Sequence, residues 1–295
     1  MGRVIPFLLL TAAGLLQVEQ SPRFRSQTAT VYVYATVQAR DGRLVPNLQQ
    51  ADFKIFDNGR EQPITVFDNA PQRITLALMF DMSTSMDKVH GRLRTAAGAF
   101  IDALWPEDRV RIGSFGDEIA LSPWLTSDKA ILKRIVDEEL WPGGGTPLWN
   151  ALDVAMSSLD KETGRRVVLT FSDGQNAGFP MGPFPPALTS LHTVRNHADH
   201  GGYMVYAIGL QGAGLTREIT DLAGDTGGGH FVVPKHDDLA ATFTRVVDEL
   251  HHQYLIGFVQ PEADGQPHQV QIATRTGAQV RARTSYVAER SQRGS

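Results

Sequence analysis

The feature that most constrains this chain is a change of hydrophobic period partway along it. From Arg73 to Gln253, continuous apolar runs alternate with segments of helical spacing. Ile74 to Phe80 (ITLALMF) has no polar face, as a strand covered on both sides of a parallel sheet requires. Leu93, Ala96, Ala97, Phe100, Ile101 and Leu104 then recur three and four residues apart, and Trp105-Pro106 ends that helix. Val110 to Phe115 and Ile119 to Leu125 read as a strand pair, Lys129 to Leu140 and Leu148 to Leu159 as helices. Arg166 to Phe171 and Tyr203 to Leu210 are further buried strands, and Gly229 to Val233 precedes a helix from Asp238 to about Gln253. Strand and helix in alternation predict an open, doubly wound, mainly parallel α/β sheet.

The flanks have a different period. In Thr30 to Gln38 (TVYVYATVQ), Val31, Val33, Ala35 and Val37 alternate with polar or aromatic residues, so one face of a strand is buried. Phe53 to Phe56 and Ile64 to Phe67 flank Asp57-Asn58-Gly59 and predict a hairpin. After the α/β region, Tyr254 to Phe258, His268 to Ala273 and Gln279 to Thr284 are again short strands. Neither flank alone covers its apolar face, so residues 28–72 and 254–288 are expected to join as one small antiparallel β-sandwich around an α/β domain at 73–253.

Composition narrows the function. The 28 basic and 32 acidic residues give a net charge of −4 with no one-signed run, which disfavours nucleic acid as the main partner. With no cysteine, disulfides, thiolate nucleophiles, Cys-ligated zinc and iron–sulfur clusters are excluded. The N-terminus, Met1-Gly2-Arg3 followed by apolar Val4 to Leu16, is too short to span a bilayer and fits a secretory signal over about residues 1–20. Export to the periplasm or beyond is the expectation, with an uncleaved anchor or a misassigned start codon as alternatives.

In an open parallel sheet ligands gather at the carboxyl ends of the strands. The first buried strand runs into Asp81-Met82-Ser83-Thr84-Ser85, a helix is preceded by Gly143-Gly144-Gly145-Thr146, and the Arg166 strand ends in Ser172-Asp173-Gly174. Asp81, Ser83, Ser85, Thr146 and Asp173 are an all-oxygen donor set suited to a hard dication such as Mg²⁺. Two carboxylates and three neutral hydroxyls leave the ion electrophilic, able to accept an outside carboxylate. Thr146 is expected to reach the ion from a loop kept flexible by its three glycines; the competing reading is a helix N-cap, with the serine hydroxyls bonded to backbone amides.

These residues resemble the metal-ion-dependent adhesion site of von Willebrand factor type A domains, with all five positions filled. The flanks, through Asp52 to Gly59, Gln253 to Phe258 and Val280 to Tyr286, resemble the Acidobacterial-type von Willebrand factor A-related subgroup. The resemblance implies a Mg²⁺ or Mn²⁺ ion bound by Asp81, Ser83, Ser85, Thr146 and Asp173, a protein partner engaged through an exposed Asp or Glu, and no catalysis. The alternatives it leaves are an adaptor subunit of an ATPase-type assembly and a metal-dependent hydrolase. The Pro-rich stretch from Phe179 to Pro186 has no counterpart in that pattern and is expected to be a loop.

Other polar candidates point elsewhere. His192, His197 and His200 are expected on the surface, His251 and His252 at a helix C-terminus, and Asp117, Asp128 and Asp160 in turns or caps. Trp105, Trp141 and Trp149 are expected to pack near helix ends, with Trp149 a candidate for the binding surface. The chain contains neither a phosphate-binding G-x-x-x-x-G-K-[ST] loop nor a G-x-S-x-G nucleophile elbow.

Overall fold

The computed structural model describes residues 29–178, 188–210, 214–233 and 239–290. The expected signal segment and the Pro-rich stretch lie outside the described residues. A six-stranded sheet forms the centre, in the order β10-β9-β8-β5-β6-β7. Its strands are β5 (Thr75–Asp81), β6 (Arg109–Phe115), β7 (Ile119–Leu121), β8 (Arg166–Phe171), β9 (Tyr203–Leu210) and β10 (His230–Val233). All neighbours are parallel except β6 and β7.

Every residue of β5 is buried because both faces are covered. Leu76, Leu78 and Phe80 point into one hydrophobic layer with α1 (His90–Ala103), α2 (Lys129–Glu138) and α6 (Leu239–His251). Ala77 and Met79 point into the other, against α3 (Leu148–Ser157), α4 (Leu191–Gly201) and α5 (Arg217–Asp225). The continuous apolar run follows from this geometry, since alternate side chains face opposite sides. Asp128 caps α2 by accepting the amides of Ala130 and Ile131.

The flanks form two four-stranded antiparallel sheets. One has the order β13-β1-β11-β4, from β13 (Gln279–Ala282), β1 (Thr30–Gln38), β11 (Tyr254–Val259) and β4 (Ile64–Asp68). The other is β14-β12-β2-β3, from β14 (Ser285–Val287), β12 (Pro267–Thr274), β2 (Phe53–Asp57) and β3 (Arg60–Gln62). Val33, Ile55, Ile256, Phe258, Val270 and Ile272 share one core between them, so the two ends of the chain build a sandwich.

The hairpin differs from expectation. β2 turns at Asn58-Gly59 and pairs with β3, while Ile64 onward crosses to the opposite sheet and pairs with β11. Pro63 separates β3 from β4, and its missing amide ends the ladder there.

Polar side chains weld the sandwich to the α/β layer system. Glu249 of α6 accepts from Tyr206 of β9 and pairs with Arg281 of β13. Arg165, 6% exposed, donates to the carbonyls of Leu250 and Arg73 and to Gln253 Oε1, with Tyr34 of β1 against its guanidinium.

Candidate metal centre

Chain order along the sheet decides where a site can form. From β5 the connection leads to β6 on one side, whereas β8 lies on the other side of β5. The loops leaving β5 and β8 therefore part in opposite directions and open a crevice at the carboxyl end of the sheet. Asp81 closes β5, and Asp173 lies two residues beyond the end of β8.

The structure draws the predicted residues together. Asp81 is fully buried; its Oδ1 accepts the Ser83 amide at 3.0 Å and its Oδ2 the Ser172 hydroxyl at 2.6 Å. Ser83 Oγ lies 3.0 Å from Ser85 Oγ, and Ser85 Oγ donates to Asp173 Oδ2 at 3.0 Å, across 88 residues of sequence. Asp173 Oδ1 accepts the Gln175 amide at 3.0 Å. Thr146 is buried, and its carbonyl accepts the amides of Ala177 and Gly178 at 3.1 and 3.2 Å, fixing its loop against the one that follows β8.

The capping alternative fails on this geometry. Ser83 makes no side-chain bond to an amide, and the turn after it is a 3-10 helix from Thr84 to Val89 before α1 begins. The two serine hydroxyls instead bond to each other and to a carboxylate.

The glycines before Thr146 serve close approach, and the flexibility expected of them is replaced by a fixed fit. Gly144 has φ +82°, and a Cβ there would lie 2.0 Å from Asp117 Oδ1 and 2.5 Å from the Asp117 amide. The loop is clamped on both sides: the Gly143 amide donates to Met82 O at 2.8 Å, and Gly143 O accepts the Asp117 amide at 3.0 Å. Three strand-end loops are thus bonded into one rim.

The donor set fits a hard dication. An octahedral Mg²⁺ with oxygens at about 2.1 Å has an edge of about 3.0 Å between neighbouring oxygens. The Ser83–Ser85 and Ser85–Asp173 separations match that edge. Burial pushes the Asp81 carboxyl above its usual range, the bonds from Ser172 and Ser83 offset part of this, and the Asp173 charge adds to it. A cation is the group whose charge would relieve that position. Asp81, Ser83, Ser85, Thr146 and Asp173 are the residues that could hold one.

Some contributors escaped the sequence reading. Ser172 holds Asp81 and accepts the Gly174 amide at 3.0 Å; a hydroxyl just before the second aspartate was its only signal. Trp141 is 76% exposed on the segment leading into the Gly-rich loop, where packing at a helix end was expected. Trp149 is buried, with its amide facing Asn176 Oδ1, and Trp105 stacks on His251. His251, expected only as a favourable charge at a helix end, is buried and bonded to Asp108 at 2.8 Å. His197 bonds to Asp153, while His192 and His200 are exposed and gather no metal-ligand set among the described residues.

Comparison with known proteins agrees with this fold. Residues 76–175 match the model of the von Willebrand factor type A domain. The central α/β region has a von Willebrand factor type A-like fold. Two solved structures share the fold. A von Willebrand factor type A protein from Catenulispora acidiphila is 13% identical, with 90% of this chain and 76% of that one covered and a TM-score of 0.52. Proximal thread matrix protein 1 from the mussel byssus is 18% identical over 66% of this chain, with a TM-score of 0.52. The match covers 51% of the mussel protein, so the chain spans about half its length. No curated protein sequence matches the chain.

Proposed function

We propose that this is an exported, non-enzymatic recognition protein whose domain holds Mg²⁺ or Mn²⁺ on Asp81, Ser83, Ser85, Thr146 and Asp173 and presents it to an Asp or Glu of a protein partner. One observation carries the reading: the Ser83–Ser85–Asp173 chain of oxygens spans two loops at octahedral-edge spacing, without being consumed by the backbone. The ion would supply charge and open coordination positions. The side chains fix it, and the exposed Ser85, Gln175 and Asn176 leave its approach open. The buried carboxylates explain how a neutral site remains attractive to an outside carboxylate.

Trp141 extends the reading to specificity. A solvent-exposed indole on the segment leading into the Gly-rich loop offers a flat apolar contact. The partner segment is therefore an acidic residue with a bulky apolar neighbour. The apolar N-terminal stretch supports export, and the flanking strands support placement in the Acidobacterial-type subgroup.

The test is selection from a random-peptide display library by the purified full chain in Mg²⁺. Enriched sequences should carry Asp or Glu and elute with EDTA. Enrichment of peptides without acidic residues, or binding that survives EDTA, contradicts the proposal. A hydrolase reading has less support, because among the described residues the carboxylates bonded into the crevice are Asp81 and Asp173, both assigned here to the ion.

A further inference from the structure

We propose that Glu262, Asp264 and His268, in the sandwich, form a second metal site that takes a four-coordinate transition ion such as Zn²⁺, with one position left for water. This site is independent of the crevice between β5 and β8 and of the function proposed for it. It lies where β11 gives way to β12, in the sequence Glu262-Ala263-Asp264-Gly265-Gln266-Pro267-His268.

The loop is anchored before any ion arrives. Buried Gln260 donates to the carbonyls of Glu262 and Glu289 at 2.6 and 2.9 Å and accepts the Glu289 amide at 2.8 Å. Asp264 Oδ1 accepts the Gln266 amide at 2.9 Å, which closes the turn and fixes the carboxyl. The ligand atoms of Glu262, Asp264 and His268 all lie within 4.8 Å of one another.

A separate observation, outside the trio, shows that the histidine is aimed. His268 is 2% exposed, and its Nδ1 faces both oxygens of buried Asp57, at 3.0 and 3.1 Å. The Tyr286 hydroxyl donates to Asp57 Oδ1 at 3.0 Å. A carboxylate on Nδ1 selects the tautomer that leaves the Nε2 lone pair outward, the arrangement that supports metal-bound imidazoles. Nε2 points at Asp264, 3.4 Å from Oδ1. A tetrahedral zinc with ligands at about 2.0–2.1 Å has ligand–ligand edges of about 3.4 Å, so this pair is already at coordination spacing. Glu262 is exposed and can close the remaining distance by rotation. One imidazole and two carboxylates also balance a dication's charge, and the imidazole favours a transition ion over Mg²⁺.

The competing account is a protonated His268 clamped between Asp57 and Asp264, with Glu262 uninvolved. Calorimetric titration of the full chain with ZnCl₂, in saturating Mg²⁺ to occupy the first site, separates the two. Wild type should bind one Zn²⁺. The double variant Glu262→Gln/Asp264→Asn, which replaces two exposed carboxylates and keeps Asp57 on the histidine, should bind at least 30-fold more weakly. Asp57→Asn should weaken binding about 10- to 100-fold through the histidine, and Asp173→Ala should leave it unchanged. No stoichiometric zinc binding by wild type at 1 mM, or equal binding by the double variant, overturns the site.

Discussion

The two ends of the central sheet treat charge differently. At the amino ends of the strands, polar side chains are bonded to backbone and to the sandwich: Arg165 to the carbonyls of Leu250 and Arg73, Asp108 to the amides of Ile74 and Trp105 and to His251. At the carboxyl ends, hydroxyls and carboxylates bond to one another as well as to nearby amides, and two of these side-chain bonds join the segments that end β5 and β8. The first pattern locks a structure because each group has a fixed partner of the opposite kind. The second leaves like-charged Asp81 and Asp173 close together, held by hydroxyls that a cation could reorganise. Burial alone therefore does not distinguish support from function; the partners do.

The largest expected effect breaks the locked end. Arg281→Met leaves Glu249 buried with no cationic partner and should lower unfolding stability by about 3–5 kcal/mol, measured by denaturant melts. An effect below 1 kcal/mol would show that the weld between sandwich and sheet is not electrostatic.

Asp108 sharpens the same point through pH. Burial alone would raise its carboxyl, but the bonds from His251 and the amides of Ile74 and Trp105 outweigh that and hold it below the usual range. Its stabilisation is then fully present above the unfolded carboxylate value of about 3.9 and is lost as pH falls through the lower folded value. Asp108→Asn should cost about 2–3 kcal/mol at neutral pH, with the gap to wild type closing below about pH 4. A gap that stays constant from pH 3 to 7 contradicts this.

The carboxyl end should give smaller stability effects and larger functional ones. Gly144→Ala forces a side chain into φ +82° and onto Asp117, at about 1–2 kcal/mol, and should displace Thr146 enough to abolish Mg²⁺-dependent stabilisation. Trp141→Ala should change stability by less than about 0.5 kcal/mol, because the ring is mostly in water, yet weaken capture of acidic peptides at least fivefold. Unchanged capture removes Trp141 from the recognition surface.

Much of this contrast was legible in the sequence, for physical reasons. β5 was readable because a strand buried on both faces has no polar side, and the meeting of the Asp81 and Asp173 loops because strand-end loops are where a doubly wound sheet collects ligands. The sandwich followed from two flanks that each lacked a cover. What escaped depended on tertiary partners. Pro63 sends Ile64–Asp68 to the other sheet, which local alternation does not encode. The fit of Gly144 to Asp117 and the Asp108–His251 bond join residues that periodicity treats as unrelated. Asp57 looked like a turn residue, and only the fold brings it to His268.

The central claim is that the oxygens of Asp81, Ser83, Ser85, Thr146 and Asp173 form a cation cage. Thermal unfolding of wild type and Asp173→Ala in excess Mg²⁺ and in EDTA tests it most directly. A bound ion at 100 times its dissociation constant adds about 2.7 kcal/mol, so wild type should melt several degrees higher in Mg²⁺ than in EDTA, while the variant melts at one temperature in both. Identical wild-type curves in Mg²⁺ and EDTA, or an equal Mg²⁺ shift in Asp173→Ala, would contradict the account.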